Sequence, residues 1–152
     1  MNLRSVVLIC LSVFCFGLTG ISQTRAPLKK GGPLDGKIYI IEIFIDGKEK
    51  KWNDDDLKFT GGKLKSVLFQ DWEFGAAPYE GIVIDSVSEK KIYTFNCETK
   101  PNPKGEIMIW SGTVTGNEVE GTIEIQSKKG KTTKSYVFNG AEKEKRKTPG
   151  GR

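Results

Sequence analysis

The dipeptide Gly116-Asn117 sits between two alternating runs, Met108 to Thr115 and Glu118 to Ile125. A two-residue hairpin loop needs backbone angles that glycine and asparagine accept, so this pair predicts a tight turn. The turn fixes a register. Val114 then faces Val119, Gly112 faces Gly121, Trp110 faces Ile123 and Met108 faces Ile125, all on one face. Thr113 with Glu120 and Ser111 with Thr122 fall on the other face. A slip of one residue would mix the two sets, so the hydrophobic pattern specifies the pairing. Two more loops pass the same test. Lys129-Gly130 sets Ile123 against Tyr136 and Gly121 against Phe138; Gly61-Gly62 sets Phe59 against Leu64 and Leu57 against Ser66.

A chain patterned this way is all-β. From Asp35 to Gly140 there is no 3.6-residue periodicity, and β-branched and aromatic residues cluster in short runs bounded by turn residues. The runs predict about eight strands: Lys37–Ile45, Asp56–Thr60, Lys63–Phe69, Tyr79–Asp85, Lys91–Glu98, Glu106–Thr115, Glu118–Ser127 and Lys131–Asn139. Lys48–Trp52 reads as a short arm, and Gln70–Ala77 as an irregular segment holding a helical turn. Short antiparallel strands in one domain must hide their edges. A small antiparallel up-and-down β-barrel does so, with a sandwich as the second arrangement.

The chain has 152 residues, three cysteines and no histidine. Without histidine there is no His-based triad and no His-ligated metal. Arg4, the apolar stretch Val6 to Leu18 and the small residues Gly20 and Ser22 predict a signal peptide cleaved after Ser22. That apolar stretch is shorter than the ~20 residues of a membrane helix. The expected organisation is therefore signal peptide 1–22, extended linker 23–34, β-barrel domain 35–140 and charged flexible tail 141–152. The expected location is secreted or periplasmic, with no membrane insertion after the signal is removed. The tail has no apolar residue beyond Ala141, so its loss, from Glu142 onward, is expected to leave stability unchanged. Its lysines and arginines read as a solvated end, interrupted by Glu142 and Glu144 and closed by Pro149-Gly150-Gly151. No nucleic-acid partner is expected, since the strand aromatics alternate with acids and hydroxyls as often as with lysine.

Cys10 and Cys15 fall in the signal, which leaves Cys97 alone. It shares a face with Tyr93 and Phe95, has no histidine to make it a thiolate, and reads as a small buried apolar residue. Asp54-Asp55-Asp56 fails as a calcium loop, because Phe59 stands at position six and Lys65 at position twelve. It reads as a solvated turn. Asp71, Glu73, Asp85, Glu98 and Glu106 are available for glycoside hydrolysis, which needs two carboxylates at a set separation, but no spacing marks a pair. No catalytic residue, metal site or cofactor is expected, and the chain reads as a non-enzyme.

The ligand-binding candidates are Ser66, Trp72, Phe74, Tyr79 and Trp110. Ser66 is a polar residue on the inner face, able to face a ligand or to bond the backbone. Trp72, Phe74 and Tyr79 lie in or beside the irregular segment, where aromatics either stack on a ligand or plug a barrel end. The inward pair Gly112 and Gly121 leaves space for a ligand, unless Trp110 and Phe138 fill it.

The stretch Trp110-Ser111-Gly112-Thr113-Val114-Thr115-Gly116-Asn117-Glu118-Val119-Glu120-Gly121-Thr122 also carries a resemblance. With Leu57-Lys58-Phe59, Gly62-Lys63-Leu64-Lys65-Ser66, Phe74-Gly75 and Tyr79, it resembles small exported bacterial β-barrel proteins that look like relatives of the lipocalin-like, calycin-type barrels. The resemblance implies a barrel with an internal pocket and supplies no catalytic residue. The expected function is an exported soluble binding protein for a small apolar ligand or a partner protein. A solid-core envelope or structural protein and a carboxylate-dependent glycoside hydrolase are the alternatives. Internal volume separates the first from the second, and converging carboxylates would mark the third.

Overall fold

The computed structural model describes residues 32–84 and 91–144. The signal segment, most of the linker, Asp85 and the tail beyond residue 144 lie outside the described residues. Eight strands form in chain order: β1 Ile38–Ile45, β2 Lys51–Thr60, β3 Lys63–Ser66, β4 Ala77–Ile84, β5 Ile92–Glu98, β6 Ile107–Thr115, β7 Glu118–Gln126 and β8 Thr132–Glu142. A short 3-10 helix, Leu68–Trp72, separates β3 from β4. Each strand pairs antiparallel with the next, and β8 returns to β1, so the sheet closes into an eight-stranded barrel.

The hairpin registers are those read from the turns. Val114 faces Val119, Gly112 faces Gly121, Trp110 faces Ile123 and Met108 faces Ile125. Gly116 takes φ +62 at the first turn position, the one that a type II′ hairpin reserves for glycine. Phe59 faces Leu64 and Leu57 faces Ser66 across Gly61-Gly62. The β7–β8 turn differs in length. Ser127 N–H donates to Lys131 O at 2.9 Å, so the loop is Lys128-Lys129-Gly130, three residues long. A register shift between Ile125 and Gln126 then takes up one residue on β8. The bulge cancels the longer loop, and Ile123 still faces Tyr136 and Gly121 still faces Phe138.

Three boundaries move by three residues or more. β2 begins at Lys51 rather than Asp56, so the end of the expected arm and the aspartates belong to a strand and not to a turn. β3 stops at Ser66, before the Val67-Leu68-Phe69 run that strand propensity would have included. β8 runs to Glu142, past the expected end at Asn139. There Glu142 N–H donates to Asn117 O at 2.7 Å and Lys143 N–H to Ile38 O at 2.7 Å. Lys37 and Glu142 also form an ion pair at 2.7 Å. Truncation from Glu142 should therefore lower the melting temperature by several degrees, since two backbone hydrogen bonds are worth roughly 0.5–1.5 kcal/mol each. Thermal melts of the truncated and full chains check this, and an unchanged midpoint would restore the expectation drawn from composition.

The inward residues fill the barrel. Tyr39, Ile41, Ile43, Leu57, Phe59, Phe95, Met108, Trp110, Ile123 and Ile125 are buried, and Phe138 joins them from β8. Rings meet edge-on: Tyr39 with Phe59 at 5.9 Å, Phe59 with Phe95 at 5.1 Å, and Trp110 with Phe138 at 5.4 Å. One seam is thin. β3 and β4 pair only through Lys63 with Pro78 and Leu64 with Ala77. From Glu80 to Ile84, β4 has no strand on that side among the described residues.

Candidate functional site

The expected ligand residues do not converge on an open pocket. They belong to the plugs at the two ends of the barrel and to the core between them. At the end where β2 begins, Asp55 points inward and is 5% exposed. Its carboxylate accepts from the Ser66 hydroxyl, from Val67 N–H at 2.9 Å and from Leu68 N–H at 2.8 Å. Ser66 Oγ in turn accepts from Phe69 N–H at 3.0 Å. These bonds take the strand's amides away from a sheet partner and curl the chain into the 3-10 turn. Ser66 is thus satisfied inside the protein, by a carboxylate and an amide rather than by the carbonyl that buried hydroxyls commonly find.

The turn lowers Phe69 into the barrel end, where it is fully buried against Trp110, with ring centroids at 5.9 Å. Trp72 and Trp52 lie above it half-buried, 5.8 Å apart and edge-on. Lys134 Nζ stands 4.1 Å from the Trp72 ring centroid, a cation–π contact. Trp52 is 4.9 Å from Tyr136. Phe74 is buried nearby. Of the two readings of the irregular segment, the plug describes these contacts. Trp52 and Lys134 were not singled out from sequence, and Asp55, read with its neighbours as a solvated turn, is buried instead. The one available signal was an acidic residue at an inward position of an extended β2.

Burial raises the Asp55 carboxyl above the usual carboxylate value, and the hydrogen bonds from Ser66, Leu68, Val67 and Asp56 pull it back only in part. A raised folded-state value means the native state holds this proton more tightly than the unfolded chain does. The stability it confers is full below the ordinary carboxylate value and is lost as pH rises through the raised one. Urea midpoints measured between about pH 3 and 7 should therefore show a fall that Asp55→Asn flattens. Parallel pH profiles for the two proteins would place the effect elsewhere.

The opposite end is closed by Gly32–Gly36, which spans the end of the stretch read as linker and the first two residues of the expected barrel. Leu34 is fully buried. Its N–H donates to Tyr79 Oη at 3.1 Å, and the Tyr79 hydroxyl donates to Asp35 Oδ1 at 3.1 Å. The Asp35 carboxylate accepts Gly62 N–H at 3.0 and 2.9 Å, and Gly36 N–H donates to Phe59 O at 2.8 Å. Burial pushes the Tyr79 phenol up to about 12. Tyr79 is therefore a structural relay between β4 and the N-terminal segment. Tyr39, at the same end of β1, is fully buried and its hydroxyl has no hydrogen-bond partner among the described residues. An unmet buried polar group costs roughly 1–3 kcal/mol.

Trp110 is 1% exposed, and its indole N–H points at Met108 Sδ at 2.9 Å. The inward glycines leave no space. A Cβ on Gly112 would lie 2.6 Å from Phe95 Cζ, and one on Gly121 would lie 2.7 Å from Phe138 Cζ. Phe95 and Phe138 fill the position, where the sequence had suggested Trp110 and Phe138. With no Cβ to hold them off, the two backbones settle onto these rings, and the outer surface above is hollow.

That hollow is a shallow, wide-open groove across β5 to β8. Its walls are outward side chains: Thr94, Asn96, Ser111, Thr113, Thr122, Asn139 and the apolar Val137, with Glu120 as the single carboxylate. Ser111 Oγ donates to Asn96 Oδ1 at 2.8 Å. A second groove of about 570 Å³ adjoins it, sharing Thr113, Glu120 and Asn139 and extending to Glu42 and Glu118. The surface is rich in hydroxyls and amides that can both donate and accept.

Cys97 is buried, and burial pushes its thiol up to about 12. Its Sγ lies 3.5 Å from Ala77 O. A thiol reagent at neutral pH should label it slowly in native buffer and rapidly in denaturant, since only the thiolate reacts. Fast native labelling would place it on the outer face.

No family model, no curated protein and no solved structure matches the chain.

Proposed function

We propose that this chain is an exported, non-enzymatic binding protein that meets a partner protein through the outside of its barrel. The observation that carries this reading is the contrast between the two sides of β5–β8. Inside, Phe95, Trp110 and Phe138 fill the space that an apolar ligand would need. Outside, the same strands carry a shallow groove bounded by Thr94, Ser111, Thr113, Glu120, Val137 and Asn139. Hydroxyls and amides around a hollow suit an extended polar segment, whose backbone and side chains offer matching donors and acceptors.

Site-specific photocrosslinking in the native host tests it. A benzophenone side chain at Thr113 should yield a discrete crosslinked species, and the same probe at Lys58, on β2 away from the groove, should not. Native mass spectrometry of the protein purified from that host should show no retained small molecule. A retained apolar molecule together with no crosslink from Thr113 would favour the internal-ligand reading instead.

A further inference from the structure

β4 runs on past its neighbour. β3 and the Gly61-Gly62 turn end opposite Tyr79, whose N–H donates to Gly62 O at 3.2 Å. Beyond that point Glu80 to Ile84 pair with β5 alone among the described residues. Backbone groups alternate sides along an antiparallel strand, so the N–H and C=O of Gly81 and Val83 face the same side as those of Tyr79, onto the free edge. Exposed edges are usually blunted by lysine, proline or a bulge. Here the pairing of β4 with β5 runs without a bulge from Tyr79 to Ile84, and Gly81-Ile82-Val83-Ile84 carries no charge. Ile82, Val83 and Ile84 are 53%, 56% and 50% exposed. The inner face of Gly81 is already covered, since Pro33 Cγ lies 3.2 Å from where a Cβ would stand.

We infer that this edge pairs antiparallel with β4 of a second copy of the chain, across a two-fold axis at Ile82. The strand complements itself in that register. Gly81 faces Val83 of the copy and Val83 faces Gly81, so each free residue exchanges both of its hydrogen bonds. A centre at Gly81 would instead set Val83 against Tyr79, whose N–H Gly62 already holds. Glu80, the charge that borders the strip, comes opposite Ile84 of the copy, so no like charges meet. Ile82 meets its own copy on the outer face, and Val83 takes the room that Gly81 leaves beside Pro33. A two-fold contact uses up both edges, so it stops at a dimer and does not grow into a fibre. The four residues of the strip fall short of the roughly 20–30 a side of a standard interface, so the dimer is weak and forms only at high concentration.

Sedimentation velocity of the purified full chain tests it. Over a roughly hundredfold rise in concentration the chain should pass from monomer toward dimer. Ile82→Lys sets like charges opposite each other and should weaken the dimer by roughly tenfold or more. Ile82→Glu should do the same, yet an equal mixture of the two should recover a heterodimer. Ile82 is exposed, so both variants should keep the thermal midpoint of the parent. Ile82→Cys should give a disulfide-linked dimer under mild oxidation, because directly opposed Cα atoms stand about 4.5 Å apart in such a pair. Glu80→Cys, exposed on the same face but opposite Ile84, should not, and the buried Cys97 takes no part. A monomer at every concentration, a dimer indifferent to Ile82→Lys, or equal disulfide formation by the two variants overturns the inference. Crosslinking of position 82 to a different protein in the native host, with the purified chain monomeric, assigns the edge to that partner and overturns it as well. Thr113 lies on β6, outside the pairing, so the groove reading is tested independently.

Discussion

Trp110→Ala should destabilise the domain by roughly 3–5 kcal/mol, the usual cost of removing a buried aromatic side chain that its neighbours cannot replace. The indole is 1% exposed and touches the plug and the far wall at once, through Phe69 at 5.9 Å and Phe138 at 5.4 Å. Neither ring can collapse into the gap freely. Phe69 is tied to the 3-10 turn by the Ser66 hydroxyl, and Phe138 is wedged against Gly121. Since whole domains are stable by only about 5–15 kcal/mol, the variant should stand near its folding limit. Urea titration checks this. A loss under about 1 kcal/mol would mean that the rings do close the cavity.

Gly121→Val should be at least as damaging, at or above the top of the ~1–3 kcal/mol range for overpacking. A Cβ there would overlap the Ser111 carbonyl oxygen and lie 2.7 Å from Gly112 Cα, so the obstacle is backbone and not a movable side chain. Even Gly121→Ala should shift the midpoint strongly. Glu120→Ala is the control. Its side chain is exposed on the other face of the same strand, and it should change stability by less than about 0.5 kcal/mol. If Glu120→Ala were the worse of the two, the pairing of β6 with β7 would be wrong.

The hairpins were legible because two signals agree at each of them. Glycine marks the turn, and alternation then admits one register. The β7–β8 loop was misjudged by one residue without harm, because the bulge beyond it restores the pairing that the side chains demand. The start of β2 was illegible for the opposite reason. Asn53-Asp54-Asp55-Asp56 has the composition of a turn, and strands are poor in such residues. The sheet accepts them through charge pairing on its outer side: Lys51 reaches Asp54 at 3.0 Å and Lys143 reaches Asp56 at 3.3 Å. Asp55 alone faces inward, and its partners decide where β3 ends. That decision rests on contacts eleven to thirteen residues apart, which local propensity does not register.

The candidate sites were less legible still. Trp72, Phe74 and Trp110 fill space rather than line it, and Tyr79, grouped with the first two by its place in the chain, bonds the segment that closes the opposite end. Leu34 escaped attention because a single leucine between Pro33 and Asp35, with glycines on either side, has the composition of a linker. Only the closed barrel supplies the hole that it fills. The outer groove had no composition of its own to betray it. It arises where Gly112 and Gly121 face each other on adjacent strands, and their consequence appears on the opposite side of the sheet.

The thin seam between β3 and β4 bears on how the molecule breathes. Parting Lys63 from Pro78 and Leu64 from Ala77 breaks no other strand pair. What remains is one continuous eight-stranded ribbon running from β4 round to β3, with the long β1–β8 closure still intact. Opening of that kind is a local event rather than global unfolding, and such events need only part of the total stability. Amide hydrogens of β4 should therefore exchange with solvent before those of β7, which is flanked by nine-residue ladders on both sides. A barrel with one such slit can let the Gly32–Gly36 segment lift away on a timescale set by a few hydrogen bonds.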